Sequence, residues 1–228
     1  MKRSLIDARI EAGLKLCQRY NMVLPPFAFW NSAQFVGNRA SAERIHAAGL
    51  GWNVAEFAPG AFATLGLVVF TSRMGDWRML SSGGGRLYGE KTIMLVDGQR
   101  APHHYHVVKT EDILNRGGAR LVIELFKVDA HGRRSNEAFQ ALKDSEMLRL
   151  LPGDRVSLEP GESIVLEPYV AHAFWAEGGD VLAGEVSLAN DDATDNYFIP
   201  TLSGAVLIDE DAPARYVTVP DMARLLRR

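Results

Sequence analysis

Apolar and polar positions fall into two regimes along this chain, helical spacing near the start and short β-branched and aromatic runs beyond it. In residues 4–20, Ile6, Ile10, Leu14 and Cys17 recur at helical spacing, which predicts an amphipathic helix. Ser4 followed by Asp7 resembles a capping box, and Asn21 can close the far end. Leu24 to Trp30, Leu-Pro-Pro-Phe-Ala-Phe-Trp, reads as an aromatic, proline-stiffened extended segment. A second helix is expected over 41–48, capped by Ser41 and stopped at Gly49. Glu43, Arg44 and His46 make its face polar, and His46 reads as a surface histidine. Residues 62–72 predict a strand, and 73–89, with Gly83-Gly-Gly85 and serines, a flexible loop.

From Lys91 the chain reads as many short strands, over 91–96, 102–108, 120–128, 137–142, 155–158, 163–166, 172–176 and 181–188. Turn residues separate them, among them Asp97-Gly98, Gly117-Gly118, Pro152-Gly153-Asp154 and Gly178-Gly179. A polar loop follows over 189–203, then strands near 205–208 and 215–219 and a short helix from Ala223 to Arg228. Short strands punctuated by turns argue an all-β antiparallel barrel or sandwich rather than alternating β and α units. We expect one structural unit, with a helical and extended segment over 1–60 packed on a barrel over 61–228.

Composition narrows the function. The formal charge of −3 carries no basic footprint for nucleic acid. One cysteine, Cys17, excludes a disulfide framework and fits a reducing compartment. Asp7, Arg9 and Glu11 interrupt what would be the apolar part of a signal peptide, and no apolar run approaches a membrane span. A cytoplasmic protein without membrane contact is the expectation.

The chemistry gathers between Gly98 and Gly118. His104 and His106 are two apart, so on a strand they share a face. Glu111 is five past His106, an odd offset that requires a turn or bulge if it is to join them. Two imidazoles and a carboxylate on one surface suit a first-row divalent metal. Three of the six histidines lie in four residues here; His103 faces away from His104, and His131 sits in a turn beside Gly132.

This spacing matches the first motif of the cupins, G-x5-H-x-H-x3,4-E-x6-G, at every fixed position. The resemblance implies a small antiparallel, jelly-roll-like barrel with a metal inside. It also implies a fourth ligand from a second motif, G-x5-P-x-G-x2-H-x3-N. Gly161 and His172 stand at the right separation for it, with Glu167, Tyr169 and Ala176 in place of the Pro, Gly and Asn. The implied ligands are His104, His106, Glu111 and His172. Such a set leaves two octahedral positions open, which suits Mn or Fe and is compatible with Zn or Ni.

A narrower resemblance is to the bacterial D-lyxose isomerases. It rests on Leu24–Trp30, Leu50–Val54, Glu90–Met94, Lys109–Gly118, Leu121–Leu125, His172–Glu177, Gly184–Asp192, Asp195-Asn196 and Leu207–Asp211. It is weakest over 73–89 and 129–151. It implies a Mn2+-dependent aldose–ketose isomerase acting on D-lyxose and D-xylulose, often also on D-mannose and D-fructose, and a homodimer.

The residues accommodate that chemistry. Moving hydrogen between C1 and C2 through an enediol needs a carboxylate that accepts and returns a proton. Glu185, on the same side of its strand as Val181 and Ala183, is the candidate. Lys109, between His106 and Glu111, can steady developing negative charge. Asp195 and Glu210, with Asp192, are candidates for sugar hydroxyls. Phe174 reads as core, while Trp52 and Trp175 could stack on a sugar or fill core. A metal-dependent cupin dioxygenase and a non-catalytic sugar-binding cupin are the alternatives; an apolar pocket favours the first and a missing acid or base the second.

Overall fold

The computed structural model describes residues 1–201 and 207–227. Among these, eleven strands form one antiparallel sheet that rolls into a barrel. The central path runs β1 (Gly51–Glu56), β2 (Gly66–Met74), β3 (Tyr88–Leu95), β10 (Val170–Leu188), β5 (Glu111–Lys127), β9 (Ser163–Leu166), β6 (Phe139–Lys143), β7 (Glu146–Leu150). Off that path, β4 (Arg100–Tyr105) pairs with β10, β8 (Asp154–Leu158) with β5, and β11 (Tyr197–Phe198) with β4.

Two long strands make the barrel close. β5 and β10 are paired from Val170 opposite Lys127 to Ser187 opposite Glu111. In that ladder His172 faces Leu125, fourteen residues from Glu111, or about 46 Å along a straight strand at 3.3 Å per residue. Yet His172 Nε2 lies 3.0 Å from Glu111 Oε1. The ribbon therefore curls back on itself. Its bend is where the register shifts, between Glu177 and Val181 and again between Leu182 and Ala183, with the pairs Val181–Gly118 and Leu182–Gly117 between the two shifts. Gly118 has φ 110°, and a Cβ there would stand 2.2 Å from the Asp180 carbonyl oxygen. The last glycine of the first cupin motif is thus the corner that brings the two ends of the ribbon together.

Alternation in β3 sorts two cores. Ile93 and Leu95 point into the barrel with Leu67, Ile113, Val181 and Ala183. Met94 points outward with Val68 and Leu182, under Ile6, Ile10 and Cys17 of α1 (Arg3–Arg19). Gly13 is where the helix comes closest, since a Cβ would meet Met94 Cγ at 3.3 Å. A third cluster joins α2 (Ser32–Gly37), α3 (Arg39–Ala47) and α4 (Val219–Leu226) through Phe35, Ala42, Ile45, Met222 and Leu225.

Several expectations change. Ser4 and Asp7 do not form a capping box: Lys2 precedes the helix without a side-chain cap. Ser4 instead bonds Asp211, and Asp7 accepts the Arg215 backbone N–H, because the C-terminal segment crosses the start of α1. Asn21 does end the helix, at φ 55°. α2, β1 and β7 were not anticipated, and β1 lies within the segment read as helical or extended. The strands expected over 172–176 and 181–188 are one continuous strand, β10, and β5 begins at Glu111 rather than at 120. Residues 215–219 form no strand; only Thr218 bridges, to Trp52, and α4 starts at Val219. The strand expected over 205–208 lies, but for its last two residues, outside the described residues. Among the described residues, no helix is long and apolar enough to cross a membrane.

Candidate active site

The ends of β4, β5 and β10 bring four side chains together. His104 is on β4, His106 lies just past its end, Glu111 opens β5, and His172 is near the start of β10. The turn demanded by the odd spacing is the segment 106–110 between β4 and β5. The four offer atoms that all lie within 4.8 Å of one another. Each imidazole has its Nδ1 against a backbone carbonyl: His104 at 3.0 Å from Pro102, His106 at 2.5 Å from Asp195, His172 at 3.1 Å from Val170. A carbonyl only accepts, so Nδ1 carries the proton in all three rings and Nε2 is the nitrogen each ring offers to the site.

That assignment leaves acceptors facing acceptors. His172 Nε2 and His106 Nε2 lie 3.0 and 3.4 Å from Glu111 Oε1. These three atoms are buried and meet no hydrogen-bond donor. Burial, with His172 and His106 alongside, holds the His104 imidazole well below the usual histidine range, so it is neutral. Burial pushes the Glu111 carboxyl up, but the Lys109 ammonium outweighs it and holds it well below the carboxylate range. Buried polar atoms that converge without a hydrogen-bond donor between them are costly unless a cation lies among them. The donor set fits a first-row divalent metal.

A row of alternating charges runs on from Glu111. Lys109 Nζ lies 2.6 Å from Glu111 Oε2 and 3.1 Å from Glu185 Oε1. Lys91 Nζ lies 3.2 Å from the same Glu185 oxygen and 3.0 Å from Asp192 Oδ2. Lys109, Glu185 and Lys91 are buried. Burial works against charge on both lysines, yet Asp192, Glu111 and Glu185 raise their pKa values and keep them protonated. Desolvation opposes charge on Asp192 as well, and Lys91 nevertheless holds its carboxyl well below the usual range.

The row lines a cavity of about 1020 Å³, open to solvent, together with His104 and Glu111. Asn190 and Asn196 line it too, each with a buried, unpartnered Oδ1 able to accept from a hydroxyl. Phe57, Phe174 and Phe198 supply apolar wall. Trp52 is core: it is 1% exposed, and its Nε1 donates to the Ala28 carbonyl. Trp175 lies between Arg100 and Arg155, away from the cavity. His46 is exposed at the cavity rim, and His131 is exposed in its turn.

The structure brings Lys109 and Glu185 together with the four candidate ligands. His172 and Glu185 reach the site from one bent strand rather than from two neighbouring ones. Asp195 is adjacent, but both carboxylate oxygens accept backbone N–H groups of Val107, Val108 and Lys109. Glu210 is elsewhere. It pairs with Arg3, a fully buried guanidinium that also grips Asp221 and so ties α1 to α4. Lys91 was missed as a site residue. Its signal was parity: it lies on the Ile93 and Leu95 side of β3, where a charge must be inside the barrel.

The architecture is that of a cupin barrel carrying, in its interior, a His/Glu group that could hold a metal ion. Within that class the chain belongs to the D-lyxose isomerase family, whose model matches residues 1–222. It is 39% identical over 220 residues to the D-lyxose/D-mannose isomerase of Escherichia coli O157:H7, covering 95% of this chain and 96% of that one. It is 36% identical over 232 residues to the D-lyxose/D-mannose isomerase of Serratia proteamaculans, covering 99% and 100%. The L-ribose isomerase of Cellulomonas parahominis, solved with L-psicose, shares the fold. Its TM-score is 0.57 at 16% identity, over 92% of this chain and 98% of that one.

Proposed function

We propose that this chain is a metal-dependent aldose–ketose isomerase that interconverts D-lyxose with D-xylulose and, more slowly, D-mannose with D-fructose. The observation that carries the reading is Glu185, a buried carboxylate held between two buried lysines beside the His/Glu group. The relatives' names support the choice of sugars.

In this reading His104, His106, Glu111 and His172 hold the cation, Mn2+ by the family resemblance. When bound, it supplies Lewis-acid stabilisation of negative charge on the sugar oxygens. Glu185 takes the proton from C2 of the open-chain aldose and returns it to C1, while the O2 hydroxyl proton passes to O1. Lys109 places an ammonium beside both Glu111 and Glu185, where it steadies charge that develops on a substrate oxygen. Lys91 and Asp192 hold the outer end of the row and, with Asn190 and Asn196, receive the remaining hydroxyls. A charged, amide-lined cavity suits a polyol rather than the apolar substrate of a dioxygenase. A base and a cation within reach argue against a module that only binds.

After chelator treatment, D-lyxose conversion is expected to stop, and to return when Mn2+ is added back. Sugar binding with no ketose formed in the Mn2+-loaded protein would overturn the reading in favour of a binding cupin.

The homodimer belongs to the same proposal. The aromatic Leu24–Trp30 segment offers little for such an interface, since much of it packs within the chain: Phe27 on Phe70, with Ala28 buried. Support comes instead from Tyr88 and Leu188, exposed cross-strand neighbours at 49% and 38%, beside exposed Val186. Light scattering at micromolar concentration should give twice the chain mass, and a monomer would rule this out.

A further inference from the structure

The segment between β4 and β5 carries both a candidate ligand, His106, and the candidate cation of the chemistry, Lys109. It is too irregular to be held by the sheet, since β4 ends at Tyr105 and β5 begins at Glu111. Its three successive N–H groups at Val107, Val108 and Lys109 would be left without partners, which is costly in a buried site. One residue answers for all of them. Asp195 Oδ1 accepts from Val107 at 2.7 Å and Val108 at 3.2 Å, and Oδ2 from Lys109 at 2.9 Å. The main-chain carbonyl of the same residue takes the His106 Nδ1 proton at 2.5 Å.

From this double grip we infer that Asp195 is a positioning residue, which orients the His106 imidazole for the metal and aims Lys109 at Glu111 and Glu185, and is not a sugar ligand. The inference rests on the proposed reading of the site and assigns a part within it. Three features support it. The carboxylate's acceptor directions are taken up by backbone donors. The side chain is buried, at 7%. And Asp195 itself is anchored, its N–H donating to the Asp191 carbonyl while the chain beyond it joins β4 as β11. A hydrogen bond to the far nitrogen of a ligating imidazole fixes its tautomer and orientation, and loss of such support typically costs about 10–100-fold in metal affinity.

The test is Asp195→Asn in the full-length protein. The amide keeps the size but turns an NH2 toward backbone N–H groups, so the side-chain half of the clamp opens and the main-chain carbonyl that holds the His106 Nδ1 proton is displaced with it. Competition against a chelator should show Mn2+ affinity weakened by about 10–100-fold. The electron paramagnetic resonance spectrum of the Mn2+-loaded variant should differ from that of the parent. At saturating Mn2+, kcat for D-lyxose should fall by about tenfold or more through misplacement of Lys109, with KM within about twofold. Unchanged Mn2+ affinity with a raised KM would show that Asp195 binds sugar and overturn the inference. A lower unfolding temperature with Mn2+ affinity and kcat unchanged would reduce Asp195 to a structural part and also overturn it. If the variant does not fold, Asp195→Glu, which keeps the charge but is one methylene longer, is read the same way. Failure of both to fold counts against the inference. The affinity and spectral readouts use no sugar. A protein that isomerises no aldose would sink the proposed function and leave this assignment to be decided on the metal alone.

Discussion

Glu185→Gln is expected to lower kcat for D-lyxose by about 10²–10⁴, the usual size of a general-base contribution. Metal content should be unchanged, because Glu185 is not among the four candidate ligands. The geometry makes the substitution a clean one. Glutamine fills the same space on β10 and can still accept a hydrogen bond, but it cannot take a proton. Removing this charge strands neither lysine: Lys109 keeps Glu111 at 2.6 Å, and Lys91 keeps Asp192 at 3.0 Å. The charged row should therefore survive with its middle neutralised, and a fall in kcat reports chemistry rather than collapse. If Glu185 only receives a hydroxyl, KM should rise with kcat nearly kept. A near-normal kcat would remove Glu185 as the base. Product formed in D2O gives a second reading, since a proton held on a carboxylate exchanges with solvent and deuterium should appear at C1 of the ketose.

The two levels at which this chain could be read differ in kind. Local features were legible where one side chain's neighbours in sequence are its neighbours in space. The period of Ile6, Ile10, Leu14 and Cys17 gave α1, and the spacing of His104, His106 and Glu111 brought out three members of the metal group. α2 was legible too and was passed over: Asn31 and Gln34 form a reciprocal capping box. The long strands were not legible, because glycine pairs look alike in a turn and in a bend within a ladder. Gly117-Gly118 and Gly178-Gly179 read as turns, but both lie within a continuing β5–β10 ribbon, the first pair opposite Leu182 and Val181 and the second inside the adjoining register shift. Pairing at long range was silent as well. Nothing near Glu210 in the sequence points to Arg3, 207 residues away, so a carboxylate that ties two helices together resembled a sugar ligand. Asp195 resembled one for the same reason, since its partners are backbone groups 86–88 residues earlier, which carry no signature in side-chain chemistry.

His106→Ala is expected to abolish retention of the metal through dialysis, and turnover with it. Three buried atoms, His106 Nε2, His172 Nε2 and Glu111 Oε1, converge with no donor between them, an arrangement that a bound cation would sustain. Truncating His106 removes one donor outright, so affinity should fall by more than the about 10–100-fold that accompanies loss of a supporting hydrogen bond. The fold should persist. The segment 107–109 remains tied to the Asp195 carboxylate, and the ladder between β5 and β10 does not involve residue 106. What changes is confined to the Asp195 carbonyl, which loses its partner, and to Glu111, which keeps Lys109. Elemental analysis of the dialysed variant, beside parent protein stripped by chelator, is the direct measurement. The two should match in metal content and in residual isomerisation of D-lyxose, and only the parent should recover when Mn2+ is restored at stoichiometric concentration. Full metal occupancy with unchanged turnover in the variant would take His106 out of the metal group, and with it the assignment of the cluster as the centre of the site.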